Sequence, residues 1–395
     1  MTETIVEIAG RGDGVTDAGT YVPFAAPGDR VEHGEIVARG PGYQEPPCRH
    51  FPQCGGCQLQ HLTDDAYRDY CRDRIAGALA QKGFETDMRD AHLSPPRARR
   101  RVDLKALRIG KKRLIGFTRE KSHQIVDMAE CHVMAPELFS LLGPLRDLLD
   151  TLLPQRRTGR VQMTLTDQGV DMLLGGVETD GLDAAEALPV FAETHRLARL
   201  SIDDGYGAEA RYEPQPVTIT LGDVAVPFPQ GSFLQATKDG EQALVAGVLE
   251  ALEGSEGRAL DLFAGLGTFA LALDRPTIAA EAGREAILAL MQAARRAGRP
   301  VEAVHRDLYR RPYDAKELTD VGAVVLDPPR SGAEAQCRQL AASAVPVIAY
   351  VSCNPGTFAR DAAILVEGGY RLDWVRPVGQ FRWSTHVELV SRFSR

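Results

Sequence analysis

The sequence predicts an α/β protein. From about residue 216 it reads as a parallel sheet covered by helices on both faces. A β-rich α+β central region and a small N-terminal β-module precede it. Three observations lead there. First, strand-like and helix-like runs alternate from about residue 217: RALDLF (258–263), TIAAEA (277–282), VEAVHRD, GAVVLD and PVIAYVSC, with helical stretches such as REAILALMQAARRAG between them. Such alternation means parallel strands buried on both sides. Second, Gly265, Glu281, Asp307, Asp327 and Cys353 all fall at the carboxyl ends of those strands, where open α/β sheets bind ligands. Third, residues 1–40 show only short runs, TIVEI, TYVPF and EIVAR, split by GRGDG and APGDR, the pattern of a small β-module.

A chain of 395 residues is too long for one ordinary core. GPGYQEPP reads as a linker and DDGYGAEARYEPQP (203–216) as a second boundary, which divides the chain into 1–45, 46–215 and 216–395. With 44% hydrophobic and 25% charged residues, the composition is that of a globular protein rather than a disordered one. No apolar run is long enough to span a bilayer. The start MTETIVEIAGRGDG lacks a basic region followed by an apolar core, so it does not read as a secretory signal. The expectation is a cytoplasmic monomer with no membrane partner. A net charge of −8 excludes a surface that is basic throughout, but not a local patch. Between Arg97 and Arg113 there are nine Lys or Arg residues against one acid, Asp103. That segment reads equally as a solvated β-hairpin or as a surface that tracks phosphates.

The first strand-to-helix turn, DLFAGLGTFA, carries Gly265, Gly267 and Ala270. Glycines there let the backbone approach a ligand closely. Glu281, ending the next strand, can accept hydrogen bonds from a ribose diol. A nicotinamide site, an S-adenosylmethionine site and an empty structural turn all suit this pattern. LDPPR (326–330) discriminates, because a dehydrogenase gives no reason for an acid and two prolines at a strand end. Adenine amino-methyltransferases use Asp/Asn-Pro-Pro-aromatic, but here the fourth residue is Arg330, which offers no stacking face. Cys353 ends a buried strand in SCNPGTFARD, with Asn354 and Pro355 interrupting the passage into the next helix. Packing, metal ligation and nucleophilic chemistry are all open to it.

Seven cysteines without a secretory signal argue against a disulfide framework. Cys54 and Cys57 flank Gly-Gly, so both thiolates can turn toward one metal. Zinc is the general expectation for clustered cysteines; four thiolates also suit a [4Fe–4S] cluster. Cys71, in a polar helical stretch, reads as a half-buried thiol.

Taken together, DLFAGLGTF, LDPPR, SCNPGTFARD and the terminal STHVEL resemble the RNA uracil-C5 methyltransferase family. The resemblance covers most of residues 230–395 and implies a class I methyltransferase (Rossmann-like) catalytic domain. It carries the nucleophile over to Cys353 and the general base to Glu388. S-adenosylmethionine contacts carry over to Gln235 in SFLQAT, Phe263, Thr268, Glu281, Asp307 and Asp327. Thr268 and Asp307 stand where the family often has asparagine. Cys-x5-Cys-x2-Cys plus a distant cysteine is similar to the iron–sulfur set of the ribosomal RNA branch, which implies a [4Fe–4S] cluster on Cys48, Cys54, Cys57 and Cys131. Residues 1–45 look like a shortened RNA-binding β-barrel module. The implied partner is RNA, 23S ribosomal RNA in particular. The alternatives are a transfer RNA substrate, adenine amino-methylation, and an iron–sulfur RNA-binding protein without catalysis.

The implied chemistry needs both Cys353 and Glu388. Uracil C5 is a poor nucleophile until a thiolate adds at C6, and a base must later remove the C5 proton. The target base must also leave its stack to reach the site.

Overall fold

The computed structural model describes residues 2–395. The catalytic half is built on a nine-stranded sheet. Its parallel part runs Val301–His305, Thr277–Glu281, Arg258–Leu262, Val321–Leu326, Val347–Ser352. Glu388–Ser394 then inserts antiparallel, followed by Arg371–Gly379. The strands alternate faces residue by residue, as the period of two requires. Ala259, Ala323, Val325, Ala349 and Val351 meet the helix Lys238–Ala251. Leu260, Leu262, Val324, Leu326, Ile348 and Tyr350 meet the helices Glu334–Ala341 and Pro355–Glu367. Both faces are therefore apolar, which explains why these strands read as continuous hydrophobic runs.

One segment lies where the linear division does not place it. The helix Asp64–Ala80 buries Tyr67, Tyr70, Cys71, Ile75 and Leu79 in the same core as Leu260, Tyr350 and Phe358. Cys71 is fully buried rather than half-buried. The short strands Asp87–Met88 and His92–Leu93 then pair with Arg371–Gly379 and complete the sheet edge. Both strands are too short to show an alternation pattern, so only pairing reveals them.

The central region is a six-stranded sheet, in the order Ala208–Tyr212, Arg199–Asp203, Gly169–Gly175, Thr158–Thr166, Arg101–Ile109, Lys112–Gly116. The helices Leu142–Leu152 and Leu182–Thr194 cover it through Leu145, Leu149, Leu152, Leu188 and Phe191. The N-terminal module is a five-stranded sheet around Ile5, Val22, Ala25 and Val31. So small a core relies on polar staples. The fully buried Asp29 accepts from the amides of Ala26 (2.9 Å) and Gly40 (2.7 Å) and pairs with Arg39 (2.7 Å).

The basic segment is a hairpin, Arg101–Ile109 with Lys112–Gly116, and much of its charge is spent inside the molecule. Arg100 is buried against Glu241 at 2.6 Å. Arg108 and Arg113 both pair with Asp150. Arg99 packs between the rings of Phe117 and Phe381, 5.5 Å from each. Arg99 and Arg100 therefore correct the expectation of a phosphate-tracking stripe: these two guanidiniums hold elements together, while Arg101 lies 4.7 Å from the exposed Phe233 ring. Arg97, Lys111 and Lys112 are the exposed basic residues of the segment.

Candidate active site

The strand Val347–Ser352 delivers Cys353 to the carboxyl edge of the sheet. Asn354 and Pro355 do not interrupt the helix; they start it. Asn354 Oδ1 accepts from Gly356 N at 3.1 Å, and Pro355 takes the first helical position, where a missing N–H costs nothing. Asn354 Nδ2 and Thr357 Oγ1 both donate to the carbonyl of Arg330, at 3.0 and 3.2 Å. The cysteine loop is thereby tied to the loop that follows Asp327.

Register supplies the partner. Val351 lies opposite Val390 and Ser352 opposite Leu389 in an antiparallel pair. The ladder ends there: Cys353 is the next residue on one strand and Glu388 begins the other, and the Glu388 charge reaches the Cys353 thiol. Asp327 leaves the neighbouring strand on the other side of Val347–Ser352, and its N–H is held by the Leu262 carbonyl at 3.2 Å. Three ionisable groups thus lie within reach of one another's charge: Asp327 raises Glu388, and both carboxylates raise Cys353. Burial and the Asp327 charge push Glu388 up to about 8. Burial pushes Asp327 up to about 7. Burial and the two carboxylates push the Cys353 thiol up to about 11. The Gln380 side chain and the Arg101 charge oppose the shift on Glu388.

Gln380 is buried and donates from Nε2 to Gln235 Oε1 at 2.6 Å. One amide thereby joins the expected cofactor residue Gln235 to Glu388. The Gln235 carbonyl is held in turn by Arg100 Nε at 3.1 Å, which gives the internal Arg100–Glu241 pair its place beside the site.

The glycine turn forms the other half. Phe263 (φ 64°), Gly265 (φ 54°) and Gly267 (φ 93°) all have left-handed backbones. A Cβ on Gly267 would sit 2.4 Å from Leu290 Cδ1, so only glycine lets the helix Arg284–Ala297 pack this close. The buried carboxyl of Asp261 accepts from Ala270 N at 2.9 Å and pins the turn; burial holds it well above the usual carboxylate range. Glu281 accepts from Gly265 N (3.1 Å) and Gly283 N (2.7 Å), and Asp307 from Tyr309 N (3.0 Å). Thr268 is part-buried directly after the turn. The charges of Asp327 and Glu281 both reach Asp261, which places Asp327 between the turn and the Cys353–Glu388 pair.

Two residues here escape sequence reasoning. The Tyr309 ring lies 5.4 Å from that of Phe263 and its hydroxyl is 2.7 Å from Ser331 Oγ, so it walls the turn. Gln380 is the other; it stands only eight residues before Glu388, but nothing in its surroundings in sequence marks it as buried. Away from this pocket, Cys48, Cys54, Cys57 and Cys131 line one separate cavity with Phe117 and Met128. Among the described residues no three Cys, His, Asp or Glu side chains are grouped closely enough to share a single metal ion.

The raised carboxyls make a pH prediction. In the unfolded chain both titrate near 4, whereas in the folded chain Asp327 and Glu388 hold their protons to about 7 and about 8. The folded state is therefore favoured below pH 4 by these groups, and that contribution is lost as pH rises through 7 to 8. Glu388→Gln is expected to melt higher than the wild type at pH 9, by roughly 5 °C, with the gap closing toward pH 4. Melting curves of the two proteins across that range check it, and equal curves at pH 9 would contradict it.

The comparisons with known proteins agree with this architecture. The family model described as tRNA (Uracil-5-)-methyltransferase matches residues 305–392. An RNA methyltransferase of Zymomonas mobilis, itself uncharacterized, is 48% identical over 99% of both chains. The 23S rRNA (uracil(1939)-C(5))-methyltransferase of Halomonas elongata is 33% identical, over 93% of this chain and 83% of that one. Among solved structures, the Pyrococcus abyssi tRNA (uracil-54, C5)-methyltransferase in complex with S-adenosyl-L-homocysteine matches with a TM-score of 0.77 and 25% identity over the full length of both. By its parallel sheet, its glycine turn and its identity to these relatives along nearly the whole length, the chain belongs to the S-adenosylmethionine-dependent RNA uracil-C5 methyltransferase family, with a class I methyltransferase fold.

Proposed function

We propose that the chain methylates C5 of a uridine in 23S ribosomal RNA, through a covalent bond between Cys353 and C6 of the target base. The observation that supports the mechanism is that Cys353 and Glu388 flank the last pair of one ladder, Ser352 with Leu389, and that the Glu388 charge reaches the Cys353 thiol. Bound S-adenosylmethionine supplies a methyl group on a cationic sulfonium. Gln235, Phe263, Thr268, Glu281, Asp307 and Asp327 are the residues that would hold it. A cation held by these residues would favour the anionic forms of the raised groups, and the Cys353 thiol would give up its proton to solvent. The Cys353 thiolate then adds to C6, and the displaced ring electrons make C5 nucleophilic. C5 would take the methyl as the sulfur–methyl bond breaks, leaving the cofactor as a neutral thioether. Glu388 accepts the C5 proton, the C5–H electron pair restores the C5–C6 double bond, and the thiolate leaves. Membership of the uracil family removes adenine amino-methylation, the alternative raised by LDPPR.

The ribosomal assignment is supported by the Halomonas relative's printed substrate and by the four cysteines. The transfer RNA reading is supported by the full-length likeness to the Pyrococcus enzyme. Mapping 5-methyluridine in ribosomal and transfer RNA from cells with and without the protein decides between them. Loss of a single 23S site is the expected result; loss confined to transfer RNA would replace the assignment.

The four thiols line one cavity, and four thiolates are the donor set of a [4Fe–4S] cluster. Cys48, Cys54, Cys57 and Cys131 would hold it, in a positioning rather than an electron-transfer role, because the methyl transfer moves no net electron. Protein prepared without oxygen is expected to be brown and to carry about four irons per chain. Stoichiometric zinc without iron would reverse this reading.

A further inference from the structure

The loop that leads into the Glu388 strand is held in a costly backbone conformation. Trp383 has φ 59°, a region that a bulky side chain adopts only where its surroundings over-determine it. Those surroundings include the cysteine loop. The Trp383 carbonyl accepts from the amides of Gln58 (2.8 Å) and Leu59 (2.9 Å), the two residues after Cys57. The indole is 3% exposed and packs with Cys57, Cys131 and Val133. Its Nε1–H is buried without an acceptor. An orphaned donor of that kind is rare, and two of the side chains packed with the ring, Cys57 and Cys131, carry sulfur.

The other side of the loop is fastened to the catalytic core. Tyr67 Oη donates to the carbonyls of Phe381 (3.1 Å) and Ser384 (3.2 Å). The Arg382 guanidinium lies 4.7 Å from the Trp383 ring, donates to the Ser94 carbonyl at 3.0 Å and pairs with Asp64. Glu388 follows five residues after Trp383.

We propose that Trp383 is a positioning residue for Glu388, tying the four-cysteine site to the general base so that filling that site sets where the base sits. This rests on the reading of Glu388 as the base. Four thiolates drawn onto one group hold the Cys54–Cys57 loop in place, and that loop presents the two amides that keep the Trp383 backbone strained. With the site empty, the backbone has a route to relax, and the start of the Glu388 strand moves with it.

The test uses the full-length wild-type protein, iron-loaded and then stripped with a chelator under reducing conditions. Amide exchange in residues 381–388 is expected to accelerate at least about tenfold on stripping, with the strand Val321–Leu326 unchanged as an internal control. Unchanged exchange at 381–388, or a protein that takes up no metal at these cysteines, overturns the proposal. A second arm does not depend on stripping. Trp383→Leu is expected to lose about tenfold or more in kcat with little change in KM for RNA, and to accumulate the protein–RNA adduct, while Trp383→Phe restores most of kcat. Wild-type kcat in Trp383→Leu, or a loss carried by KM alone, also overturns it. Glu388→Gln is run in parallel. If that variant traps no adduct, the base assignment has failed; if it does and Trp383→Leu behaves as wild type, only the coupling has failed.

Discussion

Cys353→Ala is expected to bind RNA and S-adenosylmethionine with nearly wild-type affinity and to form no 5-methyluridine. The side chain is part-exposed at the end of a strand rather than in the core, so its removal leaves packing intact. Glu281, which holds the glycine turn through Gly265 N, and Asp307, which accepts from Tyr309 N, make no hydrogen bond to it. What goes is the C6 bond, without which C5 has no electron density to offer. A lost nucleophile of this kind costs turnover by at least about 10⁴-fold. Tritium release from C5-labelled uridine, scored beside methyl incorporation, reports both halves of the reaction. Full activity in Cys353→Ala would end the covalent mechanism.

Glu388→Gln fails at a different step. The amide keeps the size of the side chain and its place near Cys353, so addition and methyl transfer proceed. It cannot take the C5 proton. The enzyme therefore stalls with the methylated base attached, and a protein–RNA band survives denaturing electrophoresis. Mass spectrometry of that band should find the added methyl, and the band should vanish when Cys353 is also replaced. Turnover should fall by about 10²–10⁴-fold. A variant that turns over at the wild-type rate would move the role of base to another group, and Asp327 is the carboxyl nearest in charge.

How much of this could be read beforehand differs from residue to residue. The parallel sheet was legible because strands buried on both faces carry long apolar runs, and strand ends with Gly, Asp, Glu or Cys stand out against them. Cys353 was visible as an oddity on those grounds. Glu388 was not: it opens a strand whose neighbours are apolar on both sides, and only the family likeness singled it out. The register that joins it to Cys353 belongs to two strands far apart in sequence, which no local pattern encodes. Tyr309 and Gln380 acquire their roles from partners brought in by the fold, Phe263 and Gln235. The arginine run misled for the same reason. A guanidinium reads as a surface charge in sequence, and only the buried partner, Glu241 for Arg100, shows that it faces inward.

The pairing of Asp87–Met88 and His92–Leu93 with Arg371–Gly379 bears on how the chain assembles during synthesis. Nearly three hundred residues separate these partners, so the early segment leaves the ribosome long before the strand it must join exists. Its helix, Asp64–Ala80, has an apolar face whose cover includes Phe358 and Phe393. Until those residues emerge, that face has no home, and such waiting surfaces invite misassembly. The contact is also among the most distant in the chain, which makes closing it slow. A fragment cut at residue 216 would inherit the opposite defect: a complete cofactor turn, but an unprotected sheet edge at Arg371–Gly379, where unpaired strands recruit one another. Residues 59–93 are in this sense an intramolecular clamp, and the catalytic half matures only when both ends of the polypeptide have met.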